Sequence, residues 1–516
     1  MTSIRQRYEK LETERNPFLT RARECSKLTL PTLVPDSGHS ASSTFDTPFQ
    51  GIGARGVNNL ASKLLLALVP PNSPFFRLTV DDFKLQELTQ QEGARAEVEE
   101  ALSSIERAVM SEIESSSVRI ATFEALKHLL VAGNVLLYLP ETEGGMRVFH
   151  MDRYVIKRDP MGNALEMITK ENISPETLTP ELQELCGYEE GKEDGYGYES
   201  VELYTRIVRV DKKWKVSQEL KGKAVPDSEG TYPLDKTPWI PLRLSRIDGE
   251  SWGRGYVEEY LGDLKSLETL TQAIVEGSAA SAKVLFLVRP NGTTRARVLA
   301  EAPNGAIREG DAADVSTLQV QKGGDFQIAF QTAQEIKERL AYAFLMNSSV
   351  QRNAERVTAE EIRYMAGELE DALGGIYSIL SQEFQLPLVN RLLLQMQKQR
   401  KVPSLPKGIV SPTITTGLEA LGRGHDLNKL AAMLEQLSQL GPETLMKYMN
   451  VGDYISRVGT SLGIDMKGLI KSDEAIAEET QQQQMQQTGQ QLAPQAFDAV
   501  KEQMMAQQQP QGSEEQ

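Results

Sequence analysis

The chain has 516 residues, of which 40% are hydrophobic and 25% are charged, a composition typical of globular proteins rather than disordered or fibrous ones. Its formal net charge of −16 disfavours a protein that binds nucleic acid tightly, because such proteins normally carry a basic face that releases counterions from phosphates. An acidic surface would suit a conduit along which DNA slides with little adhesion, although solubility alone is the simpler explanation of the same charge.

The sequence carries no sign of export or of a membrane span. Charged and isolated apolar residues alternate at the N-terminus, so we expect a mature cytoplasmic start rather than a secretory signal. The longest apolar runs, 64–69 and 135–139, are far shorter than the roughly 20 residues that cross a bilayer. Two cysteines, Cys25 and Cys186, are too few for a disulfide framework and too isolated for a thiolate metal site, so we expect buried or incidental thiols.

The first half of the chain changes from a helical to a strand-like pattern near residue 135. Apolar residues recur every three to four positions before it, which predicts helices over 4–28, 52–68, 98–113 and 123–131. After it the period shortens towards two, which predicts short antiparallel strands at 135–139, 146–150, 154–157, 201–210 and 214–216. The stretch 187–198, rich in Gly, Glu and Tyr, is predicted to be a solvated loop.

Two amphipathic helices are predicted around a compact β-rich insert. The first covers 257–276 and the second runs from about Thr332 to Met346. The run AKVLFLVRP, which begins at Ala282, and the turn at Asn291 and Gly292 indicate strands in the segment between the helices.

A third long helix is predicted to begin at Thr358, where Thr358 and Glu361 can form a capping box. Gly374, Gly375 and Pro387 should bend it, and two or three separate helices are an equally good interpretation. Beyond Lys401, residues 413–480 again have helical spacing, notably 426–440. From residue 481 onward Gln dominates, and such a segment buries too little surface to offset its chain entropy, so we expect it to be disordered.

Two motifs match catalytic or cofactor patterns, but each lacks the required context. GIGARG (51–56) has the spacing of a dinucleotide-binding loop, yet the preceding SSTFDTPFQ is polar and contains Pro, so we interpret it as the glycine-rich start of a helix. GTSLG (459–463) has the spacing of a nucleophile elbow. In enzymes with such an elbow the general-base histidine follows the nucleophilic serine along the chain. Here the last histidine, His425, precedes Ser461, so a helix terminus is the better interpretation.

Neither metal nor nucleotide chemistry is indicated. The histidines His39, His128, His150 and His425 are scattered, with no metal-ligand spacing. The sequence contains no GxxxxGK[ST] phosphate loop. We therefore predict no enzyme, no cofactor and no metal site, and we do not expect the chain to hydrolyse ATP through the usual phosphate cradle.

Four stretches resemble one protein family. They are GARGVNNLASKLLLALVPP (53–71), SPFFRL (73–78), the helix–insert–helix block 256–346 and ERVTAEEIRYMAGELEDALGGIYSILSQEFQLPLVNR (355–391). Together they resemble the head-to-tail connector, or portal, of short-tailed, podovirus-type bacteriophages. The resemblance extends to about Ile470 and leaves out the Gln-rich tail.

The resemblance implies an α+β, portal-type subunit with a helical/β wing, a two-helix stem, a small β-rich clip, a long kinked helix and a helical crown. The implied boundaries are 1–256 for the wing, 257–279 and 326–346 for the stem helices, 280–325 for the clip, 347–357 for a tunnel loop, 358–400 for the long helix and 401–480 for the crown. The tail would be 481–516.

The resemblance also implies a function. The protein would form a ring of about twelve copies at the capsid vertex, the conduit for double-stranded DNA during packaging and ejection. It would be made in the host cytoplasm and reside in the virion. Implied partners are the terminase large subunit, major capsid and scaffolding proteins, tail adaptors and internal core proteins. No contact with a membrane is implied. Another virion connector such as a tail adaptor is the nearest alternative, and a cytoplasmic hydrolase using Ser461 is a distant one.

Candidate contact residues follow from these segment matches. They are Asn347, Arg352 and Arg356 in the tunnel loop, Lys283 and Lys337 in the stem or channel, and Arg289, Arg295 and Arg297 in the clip. Arg352 and Arg356 could grip passing phosphates transiently through their guanidinium groups. Salt bridges to Glu355 or Glu360 are an equally good interpretation of these two arginines.

Overall fold

The computed structural model divides into two compact units, Met1–Ala420 and Leu421–Gln516. It describes residues 3–39, 42–71, 74–80, 94–141, 145–188, 200–281, 285–318, 323–346, 375–403, 405, 410–414, 433–437 and 454–455. In the second unit the description covers only a helical turn at 433–437 and residues 454–455. That turn agrees with the helix predicted over 426–440.

The N-terminal part is helical, as predicted. Its helices are α1 (Ile4–Lys27), α2 (Ile52–Leu68), α3 (Ala94–Ser115) and α4 (Val118–Ala132). The Ser3 side chain caps α1 by accepting a hydrogen bond from the Gln6 N–H. After α4 the chain turns at Gly133, whose φ of +74° and close approach to the Arg254 backbone exclude a side chain.

Antiparallel sheets follow the helices, again as predicted. The strands are β2 (Asn134–Tyr138), β3 (Arg147–Phe149), β4 (Tyr154–Arg158), β5 (Ala164–Ile173), β6 (Val201–Val210), β7 (Lys213–Leu220), β8 (Lys223–Ala224), β9 (Gly230–Pro233) and β10 (Trp239–Arg243). A three-stranded sheet has the order β10–β2–β3, and a second sheet has the order β4–β5–β6–β7–β8 with β9 also paired to β7. The sequence pattern missed β5, β8, β9 and β10.

Short helices connect parts of this region. They are α5 (Pro180–Cys186) and the single 3-10 turns Met151–Arg153 and Pro175–Thr177. Most of the predicted loop at 187–198 lies outside the described residues.

The helix predicted over 257–276 is divided at Tyr260 into α6 (Tyr256–Glu259) and α7 (Leu261–Ser281). The second helix, α9 (Gly323–Ala343), begins nine residues before the predicted Thr332. Between α7 and α9 lie β11 (Leu285–Val288), α8 (Ala296–Ala300), the 3-10 turn Ala312–Asp314 and β12 (Val315–Leu318), with β11 antiparallel to β12.

The described part of the long helix is continuous. It consists of α10 (Gly375–Leu380), a π-helical turn (Ser381–Gln385) and α11 (Leu386–Lys398), so separate helices are not observed over this span. The π turn directly precedes Pro387, which has no N–H to donate, and the Leu386 N–H bonds to the Ser381 carbonyl instead. The predicted cap at Thr358 and the glycine at 374 lie outside the described residues.

One prediction for the region after Lys401 is wrong. Residues 413 and 414 belong to a strand, β13 (Val410–Ile414), which pairs antiparallel with β1 (Phe76–Val80). Pro412 disfavours a helix here, and the residues on either side of it alternate between exposed and half-buried, as an edge strand does.

A large apolar core is formed by α2, α3, α4 and α11. It also includes the N-terminal half of α7 and the C-terminal half of α9. Leu64, Leu129, Leu264, Leu340 and Leu388 are among its fully buried members. A second cluster, which contains Trp214, Trp239 and Trp252, lies against one face of the larger sheet. No residue of 285–318 belongs to any core cluster found among the described residues.

Candidate functional site: the stem pair and the clip segment

Helices α7 and α9, here called the stem pair, pack antiparallel. Near the core, Arg339 makes two bonds to the Asp263 carboxylate, at 2.6 Å from Nη2 and 2.9 Å from Nε. Farther out, the Phe326 ring covers Gly277, where a Cβ would come within 2.4 Å of the ring. Glycine at 277 therefore allows the two helices to approach closely at their distal ends.

The distal half of the stem pair exposes apolar side chains. Val275 is 50% exposed, Ile328 68% and Phe330 63%, while Leu264 and Leu340 at the other end are completely buried. Tyr342, on the opposite side of α9 from Leu340, is also exposed. Exposed apolar residues grouped in this way typically mark a surface that another protein covers.

Residues 285–318, here called the clip segment, expose apolar side chains even more strongly. Phe286 and Leu287 are adjacent on β11 and are 65% and 52% exposed. Neighbouring strand residues point to opposite faces, so both faces of this two-stranded sheet carry an exposed apolar side chain. Val298, Leu299 and Ile307 are exposed as well. The described part of the subunit leaves these residues uncovered.

A polar network holds the clip segment together in place of a core. The Asp314 carboxylate accepts hydrogen bonds from Thr293 Oγ1 at 3.1 Å and from the Thr294 N–H at 3.2 Å. Thr294 Oγ1 in turn accepts from the Asp311 N–H at 2.8 Å and donates to the Asp311 carbonyl. The bond from the Thr294 N–H is the main reason why the pKa of Asp314 lies below its ordinary value. Gly292 is required beside it, because a Cβ there would lie 2.3 Å from the carboxyl carbon.

The clip segment is electrically neutral in a strongly acidic chain. It contains four arginines, Arg289, Arg295, Arg297 and Arg308, and four carboxylates, Glu301, Glu309, Asp311 and Asp314. Arg297 is paired with Glu301 at 2.9 Å in full exposure, a pair of small energetic value. Arg295 and Arg308 line an open groove of about 820 Å³ together with Thr293, Ile307 and Asp311.

The structure describes four of the predicted contact residues. Arg289, Arg295 and Arg297 are exposed on the clip segment, and Lys337 is exposed on α9. Lys283, Asn347, Arg352 and Arg356 lie outside the described residues, and so does the GTSLG motif with Ser461. No sequence pattern pointed to Asp314, whereas Phe286 lies in the apolar run 285–288, which predicted a strand.

The GIGARG motif is the start of a helix, as predicted. Helix α2 begins at Ile52 inside the motif, and no strand directly precedes it in the described residues. A Cβ at Gly53 would lie 2.4 Å from the Leu28 carbonyl, and one at Gly56 would lie 2.5 Å from the Phe344 ring. The glycines therefore serve close packing, and their spacing has no need of a bound pyrophosphate.

The histidines and cysteines have structural surroundings. His128 and His150 stack with ring centroids 6.1 Å apart, and His150 pairs with Asp152. Burial lowers the pKa of His128 to about 3, which keeps it neutral. Cys25 and Cys186 are free and buried, as predicted. In the part of the chain that the structure describes, we find no cluster of metal-ligating side chains and no helix long and apolar enough to cross a membrane.

Comparison with known proteins identifies the family. The model of the family described as bacteriophage head to tail connecting protein matches residues 1–470. The portal protein of Escherichia phage T7 is 45% identical over 485 residues, which are 93% of this chain and 90% of that protein. The portal protein of Enterobacteria phage T3 is 45% identical, covering 90% of this chain and 88% of that protein, and that of Enterobacteria phage SP6 is 32% identical, covering 93% and 92%.

Solved structures add little to this assignment. A chain from the neck of a native gene transfer agent particle, computed with C12 symmetry, aligns with a TM-score of 0.33 at 12% identity and covers 74% of this chain and 85% of that one. The sequence relationships are far stronger. The chain therefore belongs to the bacteriophage head-to-tail connecting proteins, the portal proteins of short-tailed phages.

Proposed function

We propose that this portal protein assembles into a ring of about twelve copies around a channel at the capsid vertex, and that the ring conducts double-stranded DNA during packaging and ejection. The clip segment carries the proposal. Phe286 and Leu287 are exposed on opposite faces of a sheet that belongs to no core cluster among the described residues. A sheet sandwiched between two neighbours in a closed ring would have both faces covered.

The stem pair supports the same arrangement. Its distal half also exposes apolar residues, among them Ile328 and Phe330. A ring uses a heterologous contact, in which one side of a subunit meets a different side of the next, so every subunit needs two complementary faces. The exposed apolar residues of the stem pair and the clip segment provide such faces.

Charge favours a channel with little adhesion to DNA. The stem pair carries six carboxylates and three cations, and two of the cations, Lys265 and Arg339, are paired with Glu24 and Asp263. Each phosphate held by a free cation would add a salt-dependent attraction that must be broken at every step of translocation. Lys337 is exposed on α9 and, with Lys283, is our candidate for a channel contact in the stem.

The arginines of the predicted tunnel loop are candidates for a transient grip on DNA. We expect Arg352 and Arg356, with Asn347 beside them, to contact passing phosphates. In the double variant Arg352→Ala, Arg356→Ala, rings should form normally while the amount of DNA packaged or retained changes. Failure of the variant to form rings would instead assign these arginines to structural salt bridges.

The clip face would receive the proteins that act before and after packaging. Its groove presents Arg295 and Arg308 beside apolar Ile307, a mixture suited to a protein surface. Arg289 and Arg297 add exposed cations nearby. We assign the terminase large subunit and then the tail adaptors to this face, with capsid, scaffolding and internal core proteins contacting other parts of the ring. We also propose that the portal carries out no catalytic step itself and that the motor supplies the energy for translocation.

Electron microscopy of the purified full-length protein tests the proposal directly. We expect discrete rings with a central hole, and class averages would give the copy number. Uniform particles of 57.3 kDa at high protein concentration would overturn it.

A further inference from the structure

The second stem helix, α9, ends inside the protein rather than at its surface. Ala343, Phe344 and Leu345 are all buried. The end has the hydrogen bonds of a Schellman motif, from the Met346 N–H to the Ala341 carbonyl and from the Leu345 N–H to the Tyr342 carbonyl. Leu345 occupies the left-handed position, with φ of +51°, where glycine is the usual residue.

The backbone carbonyls that have no partner within this motif accept hydrogen bonds from side chains of two other helices. Tyr256 of α6 donates its hydroxyl to the Ala343 carbonyl at 2.9 Å. Asn59 of α2 donates to the carbonyls of Phe344 at 2.9 Å and Leu345 at 3.0 Å. Lys63, one turn further along α2, also donates to the Leu345 carbonyl at 2.9 Å. The Leu345 carbonyl therefore has two donors from one helix.

Helix α2 is shaped to receive this helix end. Gly56 leaves room for the Phe344 ring, and Asn59 and Lys63 follow at the three- and four-residue spacing that places them on the same face. Tyr256 and Tyr260 contact the other side of that ring, with centroids 6.0 and 5.9 Å away. Gly56 of the GIGARG motif therefore has a structural role, because it makes room for the buried end of α9.

The end of α11 shows that a Schellman motif needs no such donors. There Arg400 has φ of +58°, the Lys401 N–H bonds to the Met396 carbonyl and the Arg400 N–H to the Gln397 carbonyl. Among the described residues no side chain bonds to the carbonyls of residues 398–400, which are exposed or half-buried. At the end of α9 the carbonyls are buried, so their donors come from protein side chains. Both acceptor positions of the Leu345 oxygen are taken by donors from α2, one of them Lys63, which is only 6% exposed.

We propose that Asn59 and Lys63 are positioning residues that fix the last turn of α9 to the wing, so that the adjoining segment 347–357 starts from a fixed point during DNA passage. The inference rests on the proposed function, since it concerns the loop that would contact DNA. A load on that loop would pull on Met346, and the Leu345 carbonyl, bonded twice to α2, would transfer the load to the core.

The substitution Lys63→Met tests this without uncapping the helix. Methionine retains the apolar stem, and Asn59 still bonds to the Leu345 carbonyl, so simple capping predicts little change. We expect rings to form with an unchanged melting temperature. Hydrogen exchange of the Leu345 and Met346 amides should rise about fivefold, the factor expected when the bond from Lys63 to the Leu345 carbonyl is lost. Particles assembled with this portal should retain several-fold less DNA.

Matched variants separate the possible outcomes. Lys63→Arg keeps a charged donor and should restore DNA retention, while Asn58→Ala changes an exposed residue on the same helix and should behave like the wild type. Asn59→Ala strips the Phe344 carbonyl of its donor and should reduce retention further. Normal retention by Lys63→Met rings, with or without faster exchange, would overturn the inference. If the wild-type chain forms no rings, the proposed function fails, and unchanged exchange in Lys63→Met would then separately reject Lys63 as an anchor.

Discussion

Residues 1–256, called the wing here as a name only, and the clip segment belong to one subunit but are held together by different interactions. In the wing, large side chains such as Trp252, Leu64 and Leu129 are buried in continuous apolar clusters. In the clip segment Phe286, Leu287 and Ile307 are exposed, and the Asp314 network of hydrogen bonds fixes the turns. The wing therefore contains the interactions for an independent fold, while the clip segment reaches its full stability only when another surface covers it.

Ion pairs show the same contrast. Glu166, which is 5% exposed, accepts bonds from Arg7 and Arg206 and links α1 to the larger sheet. The Arg297–Glu301 pair of the clip segment is fully exposed and contributes little. Substitutions in the wing should therefore change the stability of the subunit, whereas those in the clip segment should change its assembly.

The largest effect is expected from Trp252→Ala. Trp252 is 2% exposed and packs against Tyr154 and Phe18 with ring centroids 5.5 and 6.5 Å away. Its removal leaves a large cavity and should lower the free energy of unfolding by about 3–5 kcal/mol. The midpoint of urea unfolding, followed by circular dichroism, measures the change. Ile120→Ala, at a 75% exposed position of α4, is the control and should change stability by less than about 0.5 kcal/mol.

A smaller and pH-dependent effect is expected from Glu166→Gln. Burial alone would raise the pKa of Glu166, but hydrogen bonds from Arg7 and Arg206 outweigh it and hold the pKa below its ordinary value. A carboxyl with a lowered pKa stabilises the fold above its unfolded pKa, and this stabilisation is lost as the pH falls through the folded value. The variant should be less stable by about 2 kcal/mol at pH 7.

The pH profile of the two proteins separates the ion pairs from packing. The difference in unfolding free energy should shrink below pH of about 4.3, the ordinary glutamate value, and vanish in stronger acid. A difference that stays constant down to pH 2 would mean that the glutamine disturbs packing rather than charge.

Much of the wing could be predicted from the sequence, because most of its helices and several strands have one buried and one exposed face. Strand β5 could not, because it is buried on both faces. Ile168 packs against α1 while its neighbour Met167 packs against the cluster that contains Trp252, so the strand has no alternation of polar and apolar residues. The early start of α9 was missed for a related reason, since Ile328 and Phe330 are exposed and break the one-sided apolar stripe.

The candidate site was predictable only in outline. The apolar run at 285–288 indicated a strand, but hydrophobicity alone could not tell that Phe286 lies outside the core clusters of the described residues. Asp314 and Thr294 are 20 residues apart, so no local pattern announces their contact. The packing role of Gly56 could not be predicted either, because Phe344 is distant in the sequence and contacts α2 only in the folded protein.

A local effect is expected from Asp314→Asn. An amide retains one acceptor oxygen but loses the charge that strengthens the bonds from Thr293 and Thr294. Hydrogen exchange should increase within 285–318 and leave the wing unchanged, and the urea midpoint of the wing should not move. Faster exchange in the wing would show that the two regions unfold together and are therefore not stabilised independently.

The smallest effect on the isolated subunit, and the clearest on assembly, is expected from Phe286→Ser. Phe286 is 65% exposed, so its loss should change the unfolding free energy of the subunit by less than about 0.5 kcal/mol. If a neighbouring copy covers this ring, the same change removes apolar contact area from every interface of the assembly, and the penalty is repeated around the ring. Size-exclusion chromatography should then show mainly subunits where the wild type shows rings. Met161→Ser, at a 78% exposed position of the wing, is the matched control and should assemble normally. Normal rings from Phe286→Ser would mean that the clip sheet faces solvent or a different partner, and the source of its stability would have to lie within the subunit.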